Sequence, residues 1–415
     1  MGLALVGMTA LQGSALAEPE PRDVAAGTRL TAQTNPAVQQ ISMSYVATVA
    51  FPEPVPTKAF EALLTKAERH AKAGRIPADH QSQVKWVLRT AAQDVGRYLR
   101  PGKGVRKVAA SVDSVCTGWW ITPDGYMVTG AHCVSTGKAE LRQGFADKTL
   151  PPVVQGEVRG FLKSVSDLAQ PDDGMAKLAR KMFTAYERKT MRVLRVRKQL
   201  SVTMHDSRGR ISAQPLNVVT KGDDWPGEDF ALVKMAGARA LPTVPLGRDG
   251  DVRVGDDVYL SGFPVITLAS AALDRRSKLY PSVTEGAYNV RRSSARGVPY
   301  LQVQAPAYPG NSGGPVFDKD GRVVGMTIAV ATTLDGELTE AATFVLPVSV
   351  IKKRLRAAGV TPVVSETSRV YSAALEDYFA GHYEAALDGF RRVRKLYPAH
   401  PYVGAFITDA KNARH

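Results

Sequence analysis

The chain has 415 residues, 44% hydrophobic and 22% charged, with a formal net charge of +15. The length exceeds what one core usually holds and the composition excludes bulk disorder, so two or three folded units are expected. Two cysteines cannot build a structural zinc site alone and no His-rich cluster supplements them, so no metal and no cofactor is expected.

The apolar run Leu3 to Leu11 and the small-residue stretch Ala15-Leu16-Ala17 match the hydrophobic region and cleavage site of a secretory signal. Residues 1–17 are read as a signal peptide. The run is shorter than the roughly 20 residues a spanning helix needs, and no later stretch is long and apolar enough to span. The expected location is therefore secreted, periplasmic or cell-envelope associated.

Residues 36 to 51 alternate around Ile41, Met43, Tyr45 and Ala47, which predicts a strand. Phe60, Leu63, Leu64 and Ala67, then Val84, Val87, Leu88, Ala91, Val95 and Tyr98, recur every three or four residues. They predict two amphipathic helices near 55–100, ended by Pro101-Gly102. These helices are either an insertion between two strands or a prodomain. Gly118 to Thr129 reads as a hairpin around the Pro123-Asp124-Gly125 turn, with His132 and Cys133 just past its second strand.

The stretch 140–198 carries a helical stripe of Met175, Leu178, Met182, Phe183 and Tyr186. Lys177, Arg180, Lys181, Arg188, Lys189, Arg192, Arg195, Arg197 and Lys198 follow, almost unopposed, and are read as a basic helix over 177–198. Such a run is either a solvated face or a surface for an anionic cell envelope or an acidic protein. No aromatics are interleaved for stacking, so no nucleic acid is expected.

Strands resume at Val202 and Met204, then Ile211 to Val219. The apolar run Phe230 to Val233 follows, with Asp229 at its start, where a strand would bury the carboxylate; Asp223 and Asp224 are its rivals. Val252–Val254, Val258–Pro264, Ser282–Gly286, Leu301–Val303 and Thr343–Pro347 continue the pattern, and a helix is expected from Val348 to Ala358. In Gly310-Asn311-Ser312-Gly313-Gly314 the glycines can aim the N–H groups of Gly310 and Ser312 at one spot, as a developing oxyanion requires. The same residues fit the nucleophile elbow of α/β hydrolases, but an elbow runs into a helix. Here Pro315-Val316-Phe317, a turn and Val323 to Ile328 read as strand, turn, strand. In the tail, 361–415, Ala374, Tyr378, Gly381, Tyr383, Ala386, Leu387, Phe390 and Pro398 match one tetratricopeptide-like helix pair, with Tyr402 to Ala413 as a third helix. A lone unit of that kind must dock on its neighbour or meet a protein partner.

Thr129-Gly130-Ala131-His132-Cys133, Asp229-Phe230-Ala231-Leu232-Val233 and Gly310-Asn311-Ser312-Gly313-Gly314-Pro315 resemble the three catalytic blocks of trypsin-like (chymotrypsin-fold) serine proteases. The nearest resemblance is to the bacterial HtrA/Deg-type protease domain. It implies a mainly β domain over 18–360, made of two packed six-stranded antiparallel β-barrels with helical insertions. It also implies a Ser312–His132–Asp229 triad, an oxyanion hole from the Gly310 and Ser312 amides, and a bridge between Cys116 and Cys133. By the same resemblance Pro306, Ala307, Tyr308, Thr327, Ile328 and Ala329 line the first specificity pocket. No acid lies among them, so small or medium apolar P1 side chains are expected. The resulting expectation is a secreted serine endopeptidase acting on proteins or peptides. The alternative is a catalytically silent binding or scaffold protein using the tail and the basic insertion.

Overall fold

The computed structural model describes residues 24–332 and 338–413, and of 329–341 no side chains. The expected signal segment lies outside the described residues. Helix α1 (Ala26–Thr34) leads through a short turn into β1 (Val38–Pro56), whose alternation sends Ile41, Met43, Tyr45, Ala47 and Val49 into a core. β1 pairs along its whole length with β2 (Leu99–Trp120), from Val38 opposite Trp119 to Pro56 opposite Leu99. Helices α2 (Lys58–Lys72), α3 (His80–Gln93) and α4 (Val95–Tyr98) connect these two strands at their far end. Thr57 and Asp79 cap α2 and α3 by accepting from the amides of Phe60 and Ser82. The helical stretch stops at Tyr98, short of Pro101-Gly102. Those residues lie in β2 beside a shift of register, where a missing N–H does not interrupt the ladder.

The Pro-Asp-Gly turn forms as expected. Gly125 takes φ +101°, the Thr122 hydroxyl accepts from the Tyr126 amide, and β3 (Tyr126–Thr129) returns against β2. Helices α5 (Lys138–Val165) and α6 (Asp173–Thr190) follow. Met175, Met182, Phe183 and Tyr186 are buried against Leu88, Ala91 and Val154 in a core separate from that of the sheet. The expected basic helix to residue 198 is corrected: α6 ends at Thr190, and Arg192 to Lys198 belong to β4 (Arg192–His205), which pairs with β1. The backbone groups of β1 need a partner on that side, and β4 supplies it, with a bulge at Arg195 (φ +54°).

β5 (Ile211–Pro215), β6 (Asn217–Lys221) and β7 (Ala231–Lys234) complete a seven-stranded sheet ordered β5-β4-β1-β2-β3-β7-β6. The single strand expected from Ile211 to Val219 is two, broken at Leu216. The first of the two expected six-stranded barrels is therefore not closed by hydrogen bonds. Its end strands β5 and β6 are joined only through Leu216, whose amide donates to the Leu200 carbonyl at 2.9 Å.

The second half is a closed barrel. β8 (Asp257–Gly262), a short helix α7 (Val265–Ala269), β9 (Ser282–Ser293), β10 (Pro299–Val303), β11 (Pro315–Phe317), β12 (Val323–Thr332) and β13 (Leu338–Pro347) give the order β10-β13-β12-β11-β8-β9. Val252–Val254 is not a strand but a turn segment ending at Gly255, φ +99°. Trp119, Val128, Phe230 and Leu232 from the sheet meet Phe317, Met326, Ile328 and Leu346 from the barrel in one buried cluster, which fixes the two halves against each other. Truncating a fully buried ring there, such as Phe230, would cost about 3–5 kcal/mol.

α8 (Val348–Ala357) precedes three C-terminal helices, α9 (Glu366–Phe379), α10 (Tyr383–Leu396) and α11 (Val403–Ala413). Tyr371, Leu375, Leu387, Phe390 and Ile407 form their own core. The tail docks on the rest of the chain. Arg29 and Gln33 of α1 bind Glu376, Arg29 stacks over Phe379, and the Ser368 hydroxyl accepts from the Thr243 amide at 2.7 Å.

Candidate active site

His132 lies in the turn that follows β3, and Asp229 two residues ahead of β7, its immediate neighbour in the sheet. Asp229 is fully buried and adopts φ +42°, a left-handed conformation that aspartate tolerates better than most residues. Its Oδ1 accepts from the His132 amide at 3.0 Å and its Oδ2 lies 2.7 Å from His132 Nδ1. A carboxylate can only accept, so Nδ1 carries the proton and Nε2 of the neutral ring is left unprotonated, with a lone pair to accept. Neither rival acid bonds the imidazole: the side chains of Asp223 and Asp224 are exposed, and Asp223 pairs with Arg296.

Burial of the imidazole pushes its pKa down. The hydrogen bond and charge of Asp229, with smaller help from Asp224 and Glu140, outweigh that and hold the group above the usual 6.5.

The serine loop is seated against the histidine strand by one residue that the sequence did not single out. Thr117, fully buried beside Cys116, donates its amide to the Ser312 carbonyl (2.9 Å) and its hydroxyl to the Gly310 carbonyl (2.8 Å). The same hydroxyl accepts from the Phe263 amide (3.0 Å), while the Thr129 hydroxyl donates to the Thr117 carbonyl (2.7 Å). On the far side Gly313 donates to the Thr327 carbonyl and Thr327 to that of Gly314. The glycines are required by space as well as by φ. A Cβ at Gly313 (φ +81°) would lie 2.3 Å from Thr129 Oγ1, and one at Gly310 (φ +101°) 2.2 Å from the Phe263 carbonyl.

Ser312 and His132 border the same sulfur, since Cys133 Sγ is 3.6 Å from His132 Nε2 and 3.5 Å from the Ser312 carbonyl. In this structure the Ser312 hydroxyl donates to the Ile328 carbonyl at 3.4 Å, a long bond that a χ1 rotation releases. Cys116 and Cys133 stand as a disulfide. Cys116, His132 and Cys133 cluster closely enough to suggest a metal site, but the sulfurs are joined to each other and the imidazole is held by Asp229.

Of the expected pocket residues, Pro306 and Tyr308 are half-buried, and Ala307, Thr327 and Ile328 are buried. Ile328 packs beside Met326 and Leu346 in the core between the two halves, so its carbonyl rather than its side chain serves the serine. The side chain of Ala329 lies outside the described residues.

A buried carboxylate on an imidazole, facing a glycine-shaped serine loop between a sheet and a barrel, is the architecture of a trypsin-like peptidase. The profile of the trypsin-like peptidase domain matches residues 116–326, just over half of the chain, and the chain belongs to that family. It is similar to a DegP-like periplasmic serine endoprotease of Pseudomonas fulva (strain 12-X), at 34% identity over 140 residues, which is 32% of this chain and 26% of that protein. It is also similar to the mitochondrial serine protease HTRA2 of Bos taurus, at 33% identity over 123 residues, 28% and 24% of the two chains. The match thus spans about a quarter of the length of these relatives. A solved HtrA-type protease, AlgW with a decapeptide, aligns over 81% of this chain and 67% of its own at 15% identity and a TM-score of 0.39.

Proposed function

We propose that this chain is a serine endopeptidase. The observation that carries the reading is the 2.7 Å pair of His132 Nδ1 with the fully buried Asp229, which leaves Nε2 as a free base beside the Ser312 loop. Ser312 Oγ attacks the peptide carbonyl and passes its proton to Nε2. The Gly310 and Ser312 amides receive the oxyanion, and the imidazolium protonates the leaving amine. Water then repeats the sequence on the acyl-enzyme. Asp229 keeps the tautomer and offsets the positive charge of the ring.

The pocket expectation carries over as a preference for small or medium apolar P1 side chains, because Pro306, Ala307, Tyr308, Thr327 and Ile328 offer no carboxylate for a basic one. The chain is further read as exported and matured in an oxidising compartment where Cys116 and Cys133 bridge. The tail is read as a tetratricopeptide-like segment that can also meet a protein partner.

Ser312→Ala is expected to abolish labelling by a fluorophosphonate probe and to lower kcat by roughly 10⁶-fold on a peptide substrate. Labelling that persists in the variant would exclude Ser312 as the nucleophile. Failure of the folded wild-type chain to label would favour the scaffold alternative.

A further inference from the structure

The proposed chemistry asks the Gly310 and Ser312 amides to meet an oxyanion, yet Gly310 (φ +101°) and Gly313 (φ +81°) are residues whose backbone turns freely. Something outside the loop must hold it. In a trans peptide the C=O and N–H point opposite ways, so a bond to one carbonyl aims the amide of the next residue. Four consecutive carbonyls of the loop are held in this manner. The Val265 amide donates to the Pro309 carbonyl (2.7 Å) and so aims Gly310 N–H, and the Gly314 amide donates to the Asn311 carbonyl (2.9 Å) and so aims Ser312 N–H. The carbonyls of Gly310 and Ser312 both belong to Thr117, through its hydroxyl (2.8 Å) and its amide (2.9 Å). Among the described residues no acceptor takes the Gly310 or Ser312 amide.

A hydroxyl suits this place because it has two tasks at once. The Phe263 amide can only donate, so Thr117 Oγ1 accepts from it (3.0 Å) and commits its own proton to the Gly310 carbonyl. Thr117 is itself fixed. It is fully buried, its carbonyl accepts from the Thr129 hydroxyl (2.7 Å), and the adjacent Cys116 is bonded to Cys133, the neighbour of His132. Of the other two holds, that of Gly314 lies within the loop and that of Val265 comes from the exposed start of α7. Thr117 therefore ties two of the four peptides to the sheet that carries His132 and Asp229.

We infer that Thr117 is a positioning residue, which keeps the oxyanion loop assembled before substrate arrives. Its catalytic consequence rests on the peptidase reading, whereas its hold on the loop can be followed without turnover. Once the hydroxyl is gone, the Gly310 carbonyl and the Phe263 amide are left unpaired and the Gly310–Asn311 peptide can turn. Substrate still docks, but the two amides no longer converge on the developing charge.

Thr117→Val keeps the shape of the side chain and removes the hydroxyl. On a peptide substrate it should lower kcat by roughly 10²-fold with KM within about threefold, and weaken a peptidyl trifluoromethyl ketone, which forms a tetrahedral adduct, by a similar factor. Thr117→Ser should return kcat to within about threefold of wild type, a rescue that lost packing alone would not allow because serine is the smaller side chain. In the full chain carrying Ser312→Ala, hydrogen exchange at Asn311, Gly313 and Gly314 should quicken about five- to tenfold on adding Thr117→Val and keep the parent rate on adding Thr117→Ser. Thr117→Ala carries the expectations of the valine variant should that one not fold. A rise in KM with kcat kept, a serine variant as impaired as the valine one, or unaltered exchange would each overturn the assignment. A wild-type chain that fails to label with a fluorophosphonate while its exchange still answers to Thr117→Val would fault the peptidase reading and leave the hold on the loop standing.

Discussion

His132 is pulled two ways, and the balance has a measurable consequence. Its pKa is held above 6.5 despite burial, because Asp229 sits on Nδ1. Only the neutral ring can accept the serine proton, so kcat/KM should rise with pH along a limb centred above 6.5. Asp229→Asn should bring that limb down and lower kcat by roughly 10⁴-fold, since an amide can hold the wrong tautomer. A limb that stays in place in the variant would separate the carboxylate from the imidazole. The linkage runs the other way for stability. A histidine with a raised folded-state pKa stabilises the fold fully below its unfolded value, and that contribution fades as pH climbs through the folded one. The site thus gains activity over the range in which this pair gives up stability.

At the scale of elements, the buried Glu187 of α6 feels Glu157 of α5 and Arg106 of β2. Burial, reinforced by neighbouring Glu157 and only partly offset by Arg106, pushes its pKa up to about 7. An acid whose folded pKa is raised destabilises the fold as pH climbs from its unfolded value of 4.5 toward 7. Glu187→Gln should therefore raise the melting temperature at pH 8, by an amount corresponding to about 2–3 kcal/mol, and change it little at pH 4. Equal effects at both values would mean that Glu187 does not titrate in this range.

The helices around it were legible because Met175, Met182 and Tyr186 repeat at helical spacing. The boundary with β4 was not, because the basic residues run on unchanged from Lys177 to Lys198 while the backbone switches from its own hydrogen bonds to those of β1. Ser312 and His132 announced themselves through flanking glycines and a strand end. Thr117 looked like any strand threonine, because the carbonyl its hydroxyl serves lies 193 positions away. The closed barrel was readable from short strands and turns. The incomplete closure of the first sheet was not, since it turns on a single bend at Leu216 within an otherwise even run.

Across the whole molecule, the tail depends on a neutral imidazole. His400 is fully buried among Tyr371, Tyr397 and Tyr402, and its Nδ1 accepts from the amides of Val403 and Tyr402. Burial drives its pKa down to about 3. A base depressed in this way contributes stability above its unfolded value near 6.5 that is lost as pH falls toward 3. Hydrogen exchange of the amides in 366–413 should accelerate between pH 6 and pH 4 relative to the barrel strands, after correction for intrinsic rates. His400→Gln, which cannot take the proton, should remove most of that difference. A pH-independent ratio in the wild type would refute the assignment. The tail does not loosen alone, because α1 lies between it and the barrel: Arg29 and Gln33 hold Glu376, and at Gly27 the helix runs so close to β8 that an added Cβ would lie 3.3 Å from the ring of Tyr259. β8 is the immediate neighbour of β11, the strand that carries the chain away from Ser312. The last helices therefore act as ballast one strand away from the Ser312 loop, and acid that loosened them would lighten the barrel at the strand that flanks the one leaving that loop.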